Sequence, residues 1–170
     1  MKYVVALDQG TTSSRAILID SEGNLISIKQ KEFNQIFPKQ GWVEHDPIEI
    51  LETQLEVFNQ LLTENNVNAS DIISLGITNQ RETVLLWDRR TGKPLYNAIV
   101  WQDKRTSDIC QKMKEDGLET YVKKNTGLVI DSYFSGTKIK WIMDNVEGVK
   151  SKIKQNNVLC GTIDSWLIYN

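Results

Sequence analysis

Two cysteines and one histidine in 170 residues leave little material for a disulfide framework or a metal centre. Cys110 and Cys160 stand alone, without C-x-x-C spacing or histidine-rich surroundings, and read as reduced structural thiols. His45 lies just before a predicted helix start, and a structural role is expected of it. No apolar run approaches the ~18 residues of a membrane span, and the chain opens directly on a strand-like run, so a soluble, cytoplasmic protein is expected. Neither sign of charge dominates: 20 Lys+Arg stand against 22 Asp+Glu, a net of -2. That balance leaves no electrostatic footprint for nucleic acid, and no nucleic-acid partner is expected. There is no internal repeat, low-complexity tract or Pro/Gly-rich linker, and the length fits one ordinary domain with a real core. G-x-x-x-x-G-K-[ST] is missing, and only one glycine of a G-x-G-x-x-G is present. No Ser-His-Asp set, metal-ligand cluster or glycosidase-like carboxylate pair can be assembled from the spacing.

What is present is concentrated at Asp8-Gln9-Gly10-Thr11-Thr12-Ser13-Ser14-Arg15, between two short apolar runs, Tyr3 to Leu7 and Ala16 to Ile19. Each run is too short for a helix and abuts a turn, which predicts two adjacent strands. Gly10 permits a backbone shape closed to other residues, and successive N–H groups in such a turn form a concave anion site. Thr11, Thr12, Ser13 and Ser14 add hydroxyl donors and Arg15 a charge. Asp8 can hold a Mg²⁺ through its waters, because that ion prefers one or two carboxylates plus phosphate oxygens. The stretch is either a phosphate-binding hairpin or an ordinary hairpin with a polar tip.

Asp20 to Asn24 carries a turn signal, and Leu25 to Phe33 alternates like a third antiparallel strand. An irregular stretch, Gly41 to Pro47, ends at a helix start where Asp46 caps, Pro47 takes the first position and Glu49 completes a capping-box spacing. The helix is predicted to run to about Asn65 and to bury Ile48, Leu51, Leu55, Phe58 and Leu62 as one stripe. Ile72 to Thr78 reads as a buried strand reached from that crossover helix. Thr83 to Trp87 and Ala98 to Trp101 read as further strands. Helices are expected from a cap at Asp103 or Thr106 through Met113, from Leu118 to a Gly127 stop, and from near Ser135, burying Ile139, Ile142, Met143 and Val146. Val158 to Cys160 reads as a last strand, with a helix-like stretch from Thr162 to Tyr169.

Ligands of open α/β sheets gather at strand ends, where Arg81 and Glu82 lie. An arginine fork beside a carboxylate matches the donors and acceptors of a polyol hydroxyl, although a surface charge pair has the same sequence. Trp101 and Tyr133 are either an apolar wall with a hydroxyl for a small polar ligand or ordinary packing. For Lys138, near Trp141, stem packing with a solvated ammonium is expected.

Together these stretches resemble the FGGY carbohydrate kinases, and within them the glycerol-kinase branch. The resemblance rests on Val5 to Arg15, Gly41 to Pro47, Gly76 to Thr83 and Asn97 to Gln102, in the family's order, and on Tyr133 to Asn145, which fits the first FGGY signature throughout. It covers essentially all of residues 1–170. Asp-x-Gly-Thr-Thr is common to FGGY kinases, whereas Asn-Gln-Arg-Glu-Thr points to the glycerol branch. The implied fold is an α/β, ribonuclease-H-like domain of the actin, Hsp70 and hexokinase kind, its mixed sheet opening with three antiparallel strands and flanked by helices. The resemblance assigns Asp8 to Mg²⁺, Thr11, Thr12, Ser13 and Arg15 to the phosphates of ATP, Arg81, Glu82 and Tyr133 to glycerol, and Trp101 to packing on it. Lys104 before Arg105 is a local departure outside these positions.

Family members are much longer, with a second domain that carries the adenosine pocket. Their catalytic aspartate, in an Asp-Gln pair, has no counterpart up to Asn170. The expectation is therefore that residues 1–170 are most of an FGGY N-terminal domain, inactive alone. The intact protein, as a monomer or homo-oligomer, is expected to phosphorylate glycerol to sn-glycerol 3-phosphate with ATP. The alternatives are another polyol or ketose as acceptor, or a non-catalytic actin-like binding module.

Overall fold

The computed structural model describes residues 1–170 and divides into two compact units interleaved along the chain. Unit 1 comprises Met1–Gln35, Asp46–Gln80 and Ile163–Asn170; unit 2 comprises Ile36–His45 and Arg81–Thr162. Each unit is assembled from segments distant in sequence, so no change of composition accompanies the division.

Unit 1 is built on a four-stranded sheet of β1 (Tyr3–Gln9), β2 (Ser13–Asp20), β3 (Leu25–Glu32) and β5 (Ile72–Asn79), in the order β3-β2-β1-β5. The first three strands are antiparallel, as expected, and β5 runs parallel to β1. The period-2 alternation puts Val5, Leu7, Ala16 and Leu18 on one face, where they pack with Val57 and Leu61 of helix α1 (Pro47–Glu64). At the start of α1 the Asp46 side chain accepts from the Ile48 N–H. Glu49, in the capping-box position, instead accepts from the backbone and side-chain nitrogens of Asn34 at 3.0 and 2.9 Å. The buried stripe of α1 also differs from the predicted one: Ile50, Thr53, Gln54, Val57 and Leu61 face inward, whereas Ile48 and Leu55 are exposed. The apolar pattern misplaces the face because two inward positions are polar. Thr53 Oγ1 pairs with Ser14 Oγ at 2.9 Å, and Gln54 Nε2 donates to the Arg15 carbonyl at 3.0 Å, so each finds a partner on β2.

Strand β5 is not buried as expected. It is an edge strand paired with β1 alone, and Ile73 and Leu75 are exposed. Helix α6 (Ile163–Tyr169) belongs to the same unit: the Trp166 indole donates to the Pro47 carbonyl at 2.9 Å, and Asp164 accepts from Asn79.

Unit 2 holds a second sheet, ordered β4 (Glu44–His45), β7 (Ala98–Ile99), β6 (Val84–Asp88) and β8 (Val158–Thr162), with antiparallel neighbours throughout. Every residue of β6 is buried. Leu86 and Ile99 pack with Ile142 of α4 (Ser135–Asn145) and Val149 of α5 (Val149–Lys154). Helices α2 (Ser107–Glu115) and α3 (Glu119–Thr126) lie between, and α3 stops where Gly127 turns left-handed at φ +74°, as its glycine predicts. Of the two candidate caps of α2, Thr106 stands at the N-cap position but makes no side-chain capping bond, and Asp103 does not cap it. Thr106 pairs with Thr137 at 2.9 Å, and Asp103 is taken by Arg105 and the Val43 N–H.

The Arg105 side chain is fully buried. It bonds Glu44 at 2.7 Å and Asp103 at 2.9 and 3.0 Å, and lies over the rings of Trp42 at 3.9 Å and Trp141 at 4.6 Å. Tyr96 and Asn97 donate to the same Glu44 carboxylate. The arrangement joins residues 42–44, 96–105 and α4 by charge-assisted hydrogen bonds and cation–π contact. Arg105→Met leaves two buried carboxylates unpaired and is expected to lower stability by about 3–5 kcal/mol in urea unfolding.

His45 is also fully buried, and burial pushes its imidazole down to about 4. Between that value and the ordinary ~6.5 the unfolded chain binds the proton and the folded chain does not, so the contribution of neutral His45 is complete above pH 6.5 and declines as the pH falls towards 4. The expected loss between pH 7 and 5, relative to His45→Gln, is about 2 kcal/mol, read as the difference between unfolding curves at the two pH values.

Candidate functional site

Two constellations of the expected residues form, one in each unit. In unit 1 the β1–β2 hairpin is tight. Gln9 pairs with Ser14, the Gly10 N–H donates to the Ser13 carbonyl at 3.0 Å, and Thr11 and Thr12 form the tip. Gly10 is favoured by space and not by a left-handed backbone: a Cβ there would sit a tight 3.3 Å from the Ser13 carbonyl oxygen, and Gly10 is not among the positive-φ glycines. Ser14 is buried and bonded to Thr53, so it is turned into the core and is not one of the hydroxyl donors at the tip. Ser13 is buried at the start of β2 and accepts from Gln30 at 3.0 Å.

Behind the tip the structure adds residues that the sequence reading passed over. Gln9 and Gln80 are buried. Gln80 Nε2 lies 2.9 Å from Gln9 Oε1 and 3.2 Å from the Gly10 carbonyl, which Gln9 Nε2 also reaches at 3.1 Å. Gln35 Nε2 donates to the Thr11 carbonyl and the Phe33 N–H to the Thr12 carbonyl. The three carbonyl oxygens of the tip are thus occupied by protein donors. A carbonyl dipole left pointing outward would repel a phosphate, and here none of the three is left for one to meet. Glutamine carries no pattern signal of its own. Only the parallel β1–β5 pairing, which sets Gln9 opposite Asn79 and next to Gln80, exposes the arrangement.

Asp8 and Arg15 are directly opposite on β1 and β2 and form an ion pair at 2.8 Å, each about one-third exposed. The pair uses Asp8 Oδ2 and leaves Oδ1 with no partner in that pair. No cluster of three metal-ligating side chains exists in the chain. A lone carboxylate with a spare oxygen fits an ion such as Mg²⁺, which brings most of its shell as water and phosphate oxygens.

In unit 2, Glu82, Tyr133 and Trp101 come together around the start of α4, and Arg81 is exposed at the head of the same turn. Glu82 has φ +66°, a left-handed conformation that costs a side-chain-bearing residue about 1–3 kcal/mol and persists where surroundings over-determine it. Its Oε2 accepts from the Ser135 N–H at 3.2 Å and the Ser135 hydroxyl at 3.0 Å. The Tyr133 ring meets Trp101 edge-on, centroids 5.7 Å apart, and Phe134 at 5.1 Å. The Trp101 N–H donates to Thr83 Oγ1 at 3.2 Å, and the Tyr133 N–H to Asp131 Oδ1 at 2.7 Å. Lys138, expected with a solvated ammonium, is fully buried instead, its Nζ 2.5 Å from the Tyr133 carbonyl. Burial lowers its pKa to about 8, against the opposing fields of Asp103, Glu82 and Asp131. An acidic oxygen acceptor, a phenol and an apolar indole wall in one place suit a small polyhydroxylated molecule, which has hydroxyls for the first two and C–H faces for the third.

Residues 3–170 match the family model described as the N-terminal domain of the FGGY family of carbohydrate kinases. The chain is 60% identical over 169 residues to a glycerol kinase of Clostridium perfringens, covering 99% of this chain and 34% of that protein. It is 59% identical over 170 residues to glycerol kinase 2 of Thermotoga maritima, again covering 34% of it. The crystal structure of Plasmodium falciparum glycerol kinase with ADP superposes with a TM-score of 0.92 at 37% identity, over 100% of this chain and 34% of that one. The fold is therefore the ribonuclease-H-like, actin-like ATPase fold of these kinases, with the mixed sheet expected of it. The chain spans about a third of the length of the relatives it matches. No helix is long and apolar enough to cross a membrane, and both cysteines are free.

Proposed function

The chain belongs to the FGGY family of carbohydrate kinases, and on that footing we propose that the protein it is part of transfers the γ-phosphoryl group of ATP to a terminal hydroxyl of glycerol, giving sn-glycerol 3-phosphate and ADP. The choice of glycerol is carried by the 60% identity with a glycerol kinase along 99% of the chain. On this reading residues 1–170 are most of an N-terminal domain and act in the cytoplasm, where ATP is available.

In this mechanism the hairpin and the α4 constellation hold the two reactants, and the work is positioning and charge neutralisation. Thr11, Thr12 and Ser13 offer hydroxyls to the phosphates, and Arg15 offers a cation whose geometry is fixed by Asp8. Asp8 would hold Mg²⁺, which when bound neutralises phosphate charge. Glu82 accepts a hydrogen bond from a glycerol hydroxyl through the carboxylate oxygen that Ser135 does not occupy. Arg81 and the Tyr133 phenol donate to its hydroxyls, and Trp101 covers its carbon chain. The carboxylate that accepts the proton of the attacking hydroxyl is assigned to the remainder of the full-length protein, and residues 1–170 alone are accordingly inactive.

Full-length protein supplied with MgATP is expected to make ADP in a glycerol-dependent way and to prefer glycerol to pentuloses; preference for a pentulose sinks the choice of acceptor. The 170-residue chain assayed alone should show no glycerol-dependent ADP formation above a mock purification, and activity that co-purifies with it would contradict the division of labour. In the full-length protein Arg81→Ala removes charge-assisted hydrogen bonds worth about 1.5–3 kcal/mol, so kcat/KM for glycerol should fall by about 10- to 150-fold.

A further inference from the structure

The α4 constellation contains two side chains that the proposed reaction does not use and that touch the residues it does. Ser135, the first residue of α4, grips Glu82 at both ends: its hydroxyl lies 3.0 Å from Oε2 and 3.1 Å from the Glu82 carbonyl, and its N–H reaches Oε2 at 3.2 Å. One turn on, Lys138 sends a fully buried stem back to the Tyr133 carbonyl. Tyr133 is tied from its other side by Asp131, so the short run from Asp131 to Ser135 is held at both its backbone polar groups.

We infer that Ser135 and Lys138 are positioning residues of the polyol site: Ser135 locks the left-handed Glu82 and selects which carboxylate oxygen faces the ligand, and Lys138 fixes the main chain that carries the Tyr133 ring. The inference rests on the glycerol reading for the identity of the ligand, and on the geometry for everything else.

Three features set this apart from ordinary packing. Glu82 is strained, and a conformation of that kind survives only where specific contacts hold it; the Ser135 hydroxyl and N–H and the favourable end of the α4 dipole are those contacts. Lys138 is the second kind of expense. An apolar residue of similar length would fill the space without the penalty of burying an amine, yet an ammonium sits there, facing Asp103, Glu82 and Asp131, with Lys104 opposing. Its donor goes to the backbone of Tyr133, whose phenol the proposed function assigns to the ligand. Finally, both side chains sit one turn apart on one helix, so a single rigid element sets the two ligand-facing groups relative to each other.

The test is steady-state kinetics of the full-length protein with glycerol and MgATP varied separately, accompanied by thermal unfolding of each variant. Ser135→Ala and Lys138→Met are expected to raise KM for glycerol by about tenfold or more while KM for MgATP stays within about twofold, and Ser135→Thr, which restores a hydroxyl, should recover most of the loss. Normal unfolding with unchanged glycerol KM in both alanine and methionine variants overturns the inference, as does a parallel rise of both KM values, which would mark a general structural role. If Lys138→Met does not fold, the comparison of Ser135→Ala with Ser135→Thr decides. A wild-type protein that turns over another polyol and not glycerol defeats the glycerol reading alone, and the same ratios measured for that polyol then decide the positioning.

Discussion

A guanidinium with no exposure to water governs unit 2. Arg105 has five donors in a rigid fork, and removing them from solvent is tolerable only if acceptors surround it. Glu44 and Asp103 provide them, and the planes of Trp42 and Trp141 close the remaining faces. Because Glu44 also takes Tyr96 and Asn97, and Asp103 also takes the Val43 N–H, the same cluster fixes β4 on β7 and the loop after β7 that carries Trp101. The place of the Trp101 indole, set against the polyol in the proposed function, therefore follows from an ion cluster that takes no part in the proposed reaction. Such clusters contribute little net stability over a well-packed apolar substitute, but a half-removed one is very unfavourable, which gives the segment one arrangement in place of several.

Unit 1 achieves its precision with neutral groups. A turn suited to an anion presents donors and hides acceptors. The hairpin does so by giving each tip carbonyl a donor from behind, through two buried glutamines, Gln35 and a backbone N–H. The crossover helix contributes in the same way, since Thr53 and Gln54 replace apolar contacts with hydrogen bonds to Ser14 and Arg15 of β2. Polar residues at core positions of a helix are costly unless they find partners, and Thr53 and Gln54 find theirs on β2, the strand that carries Arg15.

Much of this architecture was legible beforehand. The β1–β2–β3 run follows from alternation and turns, the limits of α1 from Asp46, Pro47 and the length of its periodicity, and the end of α3 from Gly127. Errors fell where a side chain acts against its usual preference. An apolar periodicity cannot mark Thr53 and Gln54 as inward positions of α1, and the usual exposure of lysine argues against the burial of Lys138. β5 looked buried because an apolar run implies two covered faces, whereas its outer edge has no partner strand within residues 1–170. In the candidate sites, residue types that carry chemistry, Asp8, Arg15, Arg81, Glu82 and Tyr133, stood out. The bonds of Ser135 to Glu82, of Lys138 to the Tyr133 carbonyl, and of Gln9 and Gln80 to the Gly10 carbonyl did not, because a supporting hydrogen bond has no periodicity.

By itself the sequence determined the element order, the hairpin, the near-neutral net charge and the family. These depend on local propensity, on spacing along the chain and on residue identity, all of which are one-dimensional. Only the tertiary structure decided that the chain forms two interleaved units, that His45, Lys138 and the side chain of Arg105 are fully buried, and that Ser14 turns inward while Thr11 and Thr12 stay at the tip. It also joined Glu82 to Ser135 across 53 positions and Glu44 to Arg105 across 61. Burial and hydrogen-bond partnership are properties of where distant segments meet, and no local pattern encodes that meeting.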